Sequence, residues 1–176
     1  MSTQKKSNNV VTKLSNTHVP DKVYSYSLQV RHALYELLNC KGTDTVSIEV
    51  FDDVAVEKDD NCIEAIQLKS VLSKNNPVSD RSVDLWKTLY NWLLAVNEGE
   101  LNPDKTVFKL VVTANRNGNI VNLFSNADSI EMAKKMWEEA RLKFYDNNGN
   151  EKNLSETNAL YVRYFFDPIN KNAACI

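Results

Sequence analysis

The chain has 176 residues, of which 43% are hydrophobic and 25% charged, and its formal net charge at pH 7 is −2. This length suits one domain with a sizeable core, and the presence of only four glycines and four prolines excludes collagen-like or low-complexity character. The near-zero charge excludes nucleic-acid binding by bulk charge alone, so any phosphate-binding surface must be a local patch.

The first predicted unit is a polar N-terminal segment. We expect residues 1–20 to form a disordered or flexible lead-in, followed by a single domain over residues 21–176. This domain is either the whole functional unit or the N-terminal fragment of a longer effector. Three widely spaced cysteines indicate free thiols. No apolar run is long enough to cross a bilayer, so we expect a cytoplasmic protein with no membrane partner.

The first half of the domain combines one helix with a predicted hairpin. Apolar spacing predicts a helix over residues 23–39. Alternating residues predict a strand over 46–50 that continues or resumes over 54–57. After a charged turn, a second strand is predicted over 62–69, so that the pair resembles a hairpin.

The second half alternates helices and strands. Ser82 is a suitable N-cap for the first helix, and Ser125-x-x-Asp128 resembles a capping box for the second. We expect Trp92 in the core and Trp86 at a contact between domains or subunits. The predicted elements are a helix over 83–97, a strand over 107–113, a helix from 125 to 144 and a strand over 160–166. This mixed α/β order predicts a central sheet flanked by helices.

Polar side chains are predicted to converge at the end of the hairpin. Side chains alternate along a strand, so Gln67 and Lys69 share one face while Ile66 and Leu68 share the other. If Asp53 lies across from them, a carboxylate, an amide and an ammonium meet at one end of the sheet. Phosphodiester hydrolysis uses such groups, because oxygen ligands bind Mg²⁺ and a lysine can orient water and stabilise charge on phosphorus.

The order of Asp53, a turn and Gln67-x-Lys69 resembles the PD-(D/E)xK nuclease superfamily, in the variant with Gln at the acidic position. Over residues 23–113 the chain resembles the N-terminal endonuclease domain of bacterial anti-phage effectors, best known from cyclic-oligonucleotide (CBASS) systems and also found in Lamassu-type and ATPase-coupled systems. The motifs that carry this resemblance are Tyr26-x-x-Gln29, Val46-Ser47-Ile48-Glu49, Asp52-Asp53-Val54, Gln67-Leu68-Lys69 and the run from Ser79 to Leu93. The last of these is the most distinctive.

The resemblance implies a restriction-endonuclease-like core, a central mixed sheet flanked by helices, and a set of site residues. Asp53 would bind the metal together with Gln67, with Asp52 as the alternative, and Lys69 would be the catalytic lysine. Gln29 stands where many members carry a Glu that supports a second metal. An amide at this position binds Mg²⁺ more weakly than a carboxylate, which leaves the number of metal ions open. Glu49 and Glu36 are substitutes for that Glu, both with less support. Arg81 either binds a DNA phosphate or caps a helix.

The implied function is a Mg²⁺-dependent endonuclease, in which Mn²⁺ can substitute, that cuts double-stranded DNA in bacterial anti-phage defence. The family implies activation by a sensor domain or regulatory subunit, in cis or in trans, and oligomerisation of the active form. One alternative is a catalytically inactive nucleic-acid-binding or assembly module on the same fold. Another is an RNA-cleaving enzyme, since metal-assisted attack on phosphate is the same for both substrates.

Overall fold

The structure is a computed structural model that describes residues 20–71, 75–171 and 173–175. Within these residues it is an α/β protein with one four-stranded mixed sheet and five helices. The elements in chain order are α1 (Pro20–Asn39), β1 (Thr45–Ile48), β2 (Val54–Glu57), β3 (Ile63–Lys69), α2 (Val83–Asn97), β4 (Thr106–Val112), α3 (Asn119–Ser125), α4 (Ile130–Arg141) and α5 (Glu156–Phe165).

The sheet has the strand order β1-β2-β3-β4. The first three strands form an antiparallel meander, and β4 then runs parallel to β3 after the crossover through α2. The register pairs Lys69 with Val112, and the Thr113 amide donates to the Lys69 carbonyl at 3.1 Å. The carboxyl ends of β3 and β4 therefore lie side by side, which fixes the backbone that carries Lys69.

Two separate apolar clusters hold the fold together. A small one lies between α1 and the sheet, where Ala33 packs with Val54, Val56, Ile66 and Leu68. The larger one joins α2 to the C-terminal helices. Its buried members include Trp86, Leu93, Ile120, Trp137, Phe144, Val162, Phe165 and Phe166. Helix α2 is thus shared by the sheet layer and a helical layer.

Trp86 is at the centre of the helical cluster, so its predicted place at a domain or subunit contact was wrong. It is fully buried, and its ring meets the rings of Phe144 and Phe165 edge-on at 5.0 and 5.5 Å between centroids. Its indole N–H donates to the Asp80 carbonyl at 2.8 Å. Trp92, by contrast, is only half-buried and contacts Phe108.

Several predicted elements up to α2 are present. The helix over 83–97 is confirmed to the residue, and α1 begins three residues before its predicted start. Of the two alternatives left open for residues 46–57, the strand resumes rather than continues: β1 ends at Ile48, the chain reverses, and β2 pairs with β1 antiparallel. Glu49 adopts a positive φ of 58° in this turn. The predicted lead-in, apart from Pro20, lies outside the described residues.

The predictions for the C-terminal third were partly correct: the helix expected between 125 and 144 is present as α4, whereas the strand expected over 160–166 is not. Residues 160–165, rich in aromatic and β-branched side chains, belong to α5. The buried residues of this helix, Asn158, Ala159, Val162 and Phe165, recur at helical spacing, and Val162 and Phe165 are part of the larger cluster. The expected capping box at Ser125 is not used; α3 ends there. The N-cap of α4 is Ser129, whose hydroxyl accepts from the Met132 amide at 3.2 Å.

Gly118 marks a close approach of two loops before α3. A Cβ atom at this position would overlap the backbone carbonyl oxygen of Val78. Nearby, the Asn76 side chain donates to the Asn117 carbonyl at 2.8 Å, and Asp80 accepts from the Ile120 amide at 3.0 Å. Glycine is required here because the two backbones touch.

Two remaining predictions concern cysteines and membranes. Cys40, Cys62 and Cys175 are free thiols, as the sequence predicts. In the part of the chain that the structure describes, no helix combines the length and apolar character needed to cross a membrane.

Candidate functional site

The turn between β1 and β2 places Asp53 against β3. Asp53 directly precedes β2, and its carbonyl accepts from the Glu49 amide at 3.3 Å, which closes the turn. Its carboxylate oxygen Oδ2 accepts the backbone N–H of Leu68 at 2.7 Å. The carboxylate is therefore fixed beside the last residues of β3.

Gln67 and Lys69 share a face of β3, as the alternation predicts. Ile66 and Leu68 are buried on the opposite face, against α1. The Gln67 side chain donates through Nε2 to Oδ2 of Asp53. The carboxylate and the amide of the predicted trio are thus in direct contact, and the ammonium of Lys69 lines the same cavity.

Gln29 connects α1 to this site. Its Nε2 donates to Oδ1 of Asp53 at 2.8 Å and to Oε1 of Glu49 at 2.6 Å. The residue is only 7% exposed, and its own Oε1 is buried without a hydrogen-bond partner. One amide therefore holds two carboxylates together, including that of Glu49, whose positive φ is uncommon for a residue with a side chain.

A cavity of about 530 Å³ opens beside these residues. One wall comes from the β1–β2 turn and β3, and the other from α2. Its lining residues are Glu49, Val50, Phe51, Asp52, Asp53, Gln67, Lys69, Asp84, Lys87, Thr88, Asn91, Trp92 and Ala95. Many of them are exposed or half-buried, so the cavity is accessible from solvent.

Burial shifts the pKa values of two titratable side chains in this cavity. It lowers the pKa of the Lys69 ammonium from its ordinary value, although the charges of Asp84 and Asp53 favour the protonated form. It raises the pKa of the Asp52 carboxyl, against the hydrogen bond that Asp52 accepts from the Trp92 indole. Shifted titratable groups in a cleft are typical of functional sites.

Thr88 lies beside the Gln67 side chain and bears on the orientation of its amide group. Its hydroxyl donates to the Asp84 carbonyl at 2.9 Å and lies 3.4 Å from Oε1 of Gln67. A hydroxyl has a single proton, and the shorter bond uses it. A Gln67 amide turned by 180° would instead donate its N–H to Thr88 and direct Oε1 towards Asp53. That arrangement needs a cation, because two oxygens would then face each other.

Oxygen ligands for a metal are present, but not as a cluster of carboxylates. Among residues 20–71, 75–171 and 173–175, no group of three or more His, Cys, Asp or Glu side chains could hold a metal ion. The candidate ligands are the carboxylate of Asp53 and the amide oxygen of Gln67. Such hard oxygen atoms, completed by water, suit Mg²⁺.

Two of the weaker candidates lie away from the cavity. Arg81 donates to the Asn153 carbonyl at 2.6 Å and lies over the Phe144 ring, which attaches the start of α2 to the C-terminal layer. Glu36 pairs with His32 on α1, 3.2 Å away. Neither residue lines the cavity around Asp53.

Helix α2 contributes to the cavity, which was not predicted from the sequence. Its residues Asp84, Lys87, Thr88, Asn91 and Trp92 line the cavity, although Trp92 was predicted to lie in the core. Their spacing of three and four residues places them on one helix face. This mainly polar face was a usable signal in the sequence.

Comparison with known proteins gives no relative for this chain: no family model, no curated protein and no solved structure matches it.

Proposed function

We propose that this chain is a Mg²⁺-dependent endonuclease with a restriction-endonuclease-like fold. One observation carries the proposal: Asp53 contacts Gln67 at the end of the hairpin, and half-buried Lys69 faces the same solvent-accessible cavity. A carboxylate, an amide oxygen and a cation in one cleft are suited to attack on a phosphodiester. The double-stranded DNA substrate and the role in bacterial anti-phage defence come from the resemblance of residues 23–113.

Asp53 and Gln67 would hold the Mg²⁺ ion, and the residues around them fit that role. If the Gln67 amide is turned by 180°, its N–H donates a hydrogen bond that the Thr88 hydroxyl oxygen can accept. Its oxygen then lies beside the Asp53 carboxylate as a second hard ligand. The bound ion would polarise the phosphate and lower the pKa of a bound water.

The chain's own cations act on the substrate. The backbone of Lys69 is fixed by its pairing with β4. Its ammonium can donate to a phosphate oxygen and orient the attacking water. Its partial burial strengthens that interaction, since charges interact more strongly away from water. Lys87, exposed on the α2 wall, can bind a neighbouring phosphate of the backbone.

Gln29 acts as a positioning residue in this proposal. Its amide lies between Glu49 and Asp53, where its N–H groups donate to both carboxylates and offset part of their repulsion. A cation between those two carboxylates would do the same, so the Gln29 amide stands in the place of a second metal ion. We therefore propose a single-metal site.

Control of such an enzyme is part of the proposal. An unregulated DNA endonuclease would damage the cell that makes it. By the resemblance, a sensor domain or regulatory subunit restrains this domain, in cis or in trans, and oligomerisation accompanies activation.

A catalytically inactive nucleic-acid-binding or assembly module is the second candidate. The observation that favours it is the saturation of Asp53: both carboxylate oxygens already accept N–H groups, from Gln29, Gln67 and Leu68. A fixed carboxylate of this kind can serve structure alone. The two candidates differ in whether Asp53 is needed for cleavage.

Plasmid cleavage separates them. In Mg²⁺ the wild-type protein is expected to nick and linearise supercoiled DNA, EDTA to stop this, and Asp53→Asn to lower the rate at least about 100-fold because the metal loses its charged ligand. Asp59→Asn, in the exposed turn between β2 and β3, is the matched control and should cleave like wild type.

The assay is run over a range of protein concentrations and on a fusion to an oligomeric scaffold, so that a need for assembly does not hide activity. A parallel reaction uses double-stranded RNA of the same length. Absence of Mg²⁺-dependent cleavage in every form would refute the enzyme and leave the inactive module. Equal cleavage by Asp53→Asn would refute the assignment of this cavity as the active site.

Metal binding has its own test in Gln67→Glu. In EDTA this variant places a second carboxylate against Asp53, so its melting temperature should fall below that of wild type. Added Mg²⁺ should raise the melting temperature of the variant more than that of wild type, because two carboxylates bind the ion more tightly. Equal Mg²⁺ responses, measured by thermal denaturation, would argue against a metal at this position.

A further inference from the structure

Helix α1 is apolar on both of its faces. Its inner face packs on the sheet through residues such as Leu28 and Ala33. A surface helix normally turns polar residues to solvent on its other face. Here, eight large apolar side chains of α1 are between 38% and 76% exposed: Val23, Tyr24, Tyr26, Val30, Leu34, Tyr35, Leu37 and Leu38.

Six of these side chains form one continuous stripe, which we call the outer stripe: Val23, Tyr26, Val30, Leu34, Leu37 and Leu38. Their spacing of mostly three and four residues aligns them along the helix axis, opposite the side that packs on the sheet. Arg31, flanked by Tyr24 and Tyr35, lies at the edge of the stripe rather than on it.

The exposed apolar area is large enough for a stable interface. At these exposures the six residues of the outer stripe present roughly 600 Å², so two copies would bury about 1,200 Å² together, the lower end of a standard protein–protein interface. This area lies at the upper end of the range for the largest apolar patch on a typical monomer, about 300–600 Å². Solvent exposure of this stripe would be costly, so a partner surface is expected to cover it.

We propose that the outer stripe pairs with the same stripe of a second copy of this chain, antiparallel about a two-fold axis near Val30. The stripe is apolar except for Ser27, whose hydroxyl already donates to the Tyr24 carbonyl at 2.7 Å. Rotation by 180° brings Val23 of one copy towards Leu38 of the other while Val30 stays central. A surface that is complementary to itself in this way forms a closed dimer.

A membrane surface fits the stripe less well than a second copy. Helices that lie on membranes combine an apolar face with a lysine- and arginine-rich polar face exposed to water. The face of α1 opposite the stripe is instead occupied by the protein's own sheet, and the exposed basic residues among residues 22–39 are Lys22 and Arg31.

Pairing through α1 would also relate two candidate sites by symmetry. Gln29 and Val30 are neighbours, so the helix that bonds Asp53 on one side carries the centre of the stripe on the other. Two sites on a dimer suit the two strands of a duplex. The dimer itself follows from the stripe and does not rest on the proposed nuclease function.

Sedimentation velocity tests the dimer between about 1 and 500 µM protein. Wild type is expected to dimerise in this range, and Leu34→Glu/Leu38→Glu to weaken dimerisation at least about 100-fold, because carboxylates would be buried in an apolar interface. The matched control, Leu160→Glu/Ile169→Glu, changes two equally exposed apolar residues outside α1 and should dimerise like wild type. Circular dichroism checks that each variant is folded.

Disulfide cross-linking tests the arrangement independently of the charged variants. Val30→Cys should give a covalent dimer on mild oxidation, whereas wild type with its three native thiols and Leu160→Cys should not. A wild-type monomer at all concentrations, or a dimer that survives the two glutamates, would overturn the proposal. Both outcomes are read without reference to DNA cleavage.

Discussion

Replacement of Lys69 by methionine is expected to lower Mg²⁺-dependent DNA cleavage by about 10²–10³-fold and, at neutral pH, to raise the free energy of unfolding by roughly 0.5–2 kcal/mol. Methionine matches the length and apolar stem of lysine but has no charge to donate to a phosphate. If Lys69→Met is more stable but less active than wild type, the Lys69 charge destabilises the fold and serves cleavage. Plasmid cleavage and urea denaturation measure the two effects on the same preparation.

The gain in stability has a defined pH dependence. Burial lowers the pKa of Lys69 from its ordinary 10.5, so the folded protein binds this proton less tightly than the unfolded chain does. The buried Lys69 charge therefore lowers the free energy of unfolding by its full amount at pH values below the lowered pKa. This destabilisation disappears as the pH rises towards 10.5. The stability difference between Lys69→Met and wild type should shrink over that window.

Lys135→Met is the matched control, since Lys135 is exposed on α4 and far in sequence from the cavity residues. Its unfolding free energy should stay within about 0.5 kcal/mol of wild type and its cleavage rate should not change. If Lys69→Met instead destabilises the protein, Lys69 has a structural role and the catalytic assignment loses its support.

Replacement of Trp86 by alanine is expected to have the largest effect on stability, a loss of about 3–5 kcal/mol. The side chain is fully buried, contacts the rings of Phe144, Phe165 and Phe166, and donates to the Asp80 carbonyl. Alanine would leave a cavity at the junction of α2 with the C-terminal layer. Urea denaturation followed by circular dichroism measures the loss.

A second substitution separates packing from the hydrogen bond. Trp86→Phe keeps a ring against Phe144 but removes the indole N–H, so its cost should be smaller, about 1–3 kcal/mol. If Trp86→Ala cost less than about 1 kcal/mol, the described packing of α2 against the C-terminal helices would be incorrect.

The parts of the site that lie on the hairpin were predictable from the sequence because strand alternation is a local property. Gln67 and Lys69 face the cavity and Ile66 and Leu68 do not, as the period of two requires. The choice of Asp53 over Asp52 also agrees with the contact to Gln67. The proposed roles of these residues remain predictions until cleavage is measured.

The contribution of α2 was not predictable in the same way. Its bounds follow from apolar periodicity, but where it packs depends on partners distant in sequence, such as Phe144 and Phe166. Only that packing brings Thr88 to Gln67 and the Trp92 indole to Asp52. Segment 160–166 was misassigned for a related reason, since composition favoured a strand while tertiary burial selected a helix.

The close approach at Gly118 has a consequence for how relatives of this protein can vary. Any side chain at this position would displace the Val78 backbone. Lineages that keep this arrangement of loops are expected to retain glycine there even after their surfaces have diverged. A glycine between β4 and α3 is therefore expected in any chain that shares this arrangement of loops.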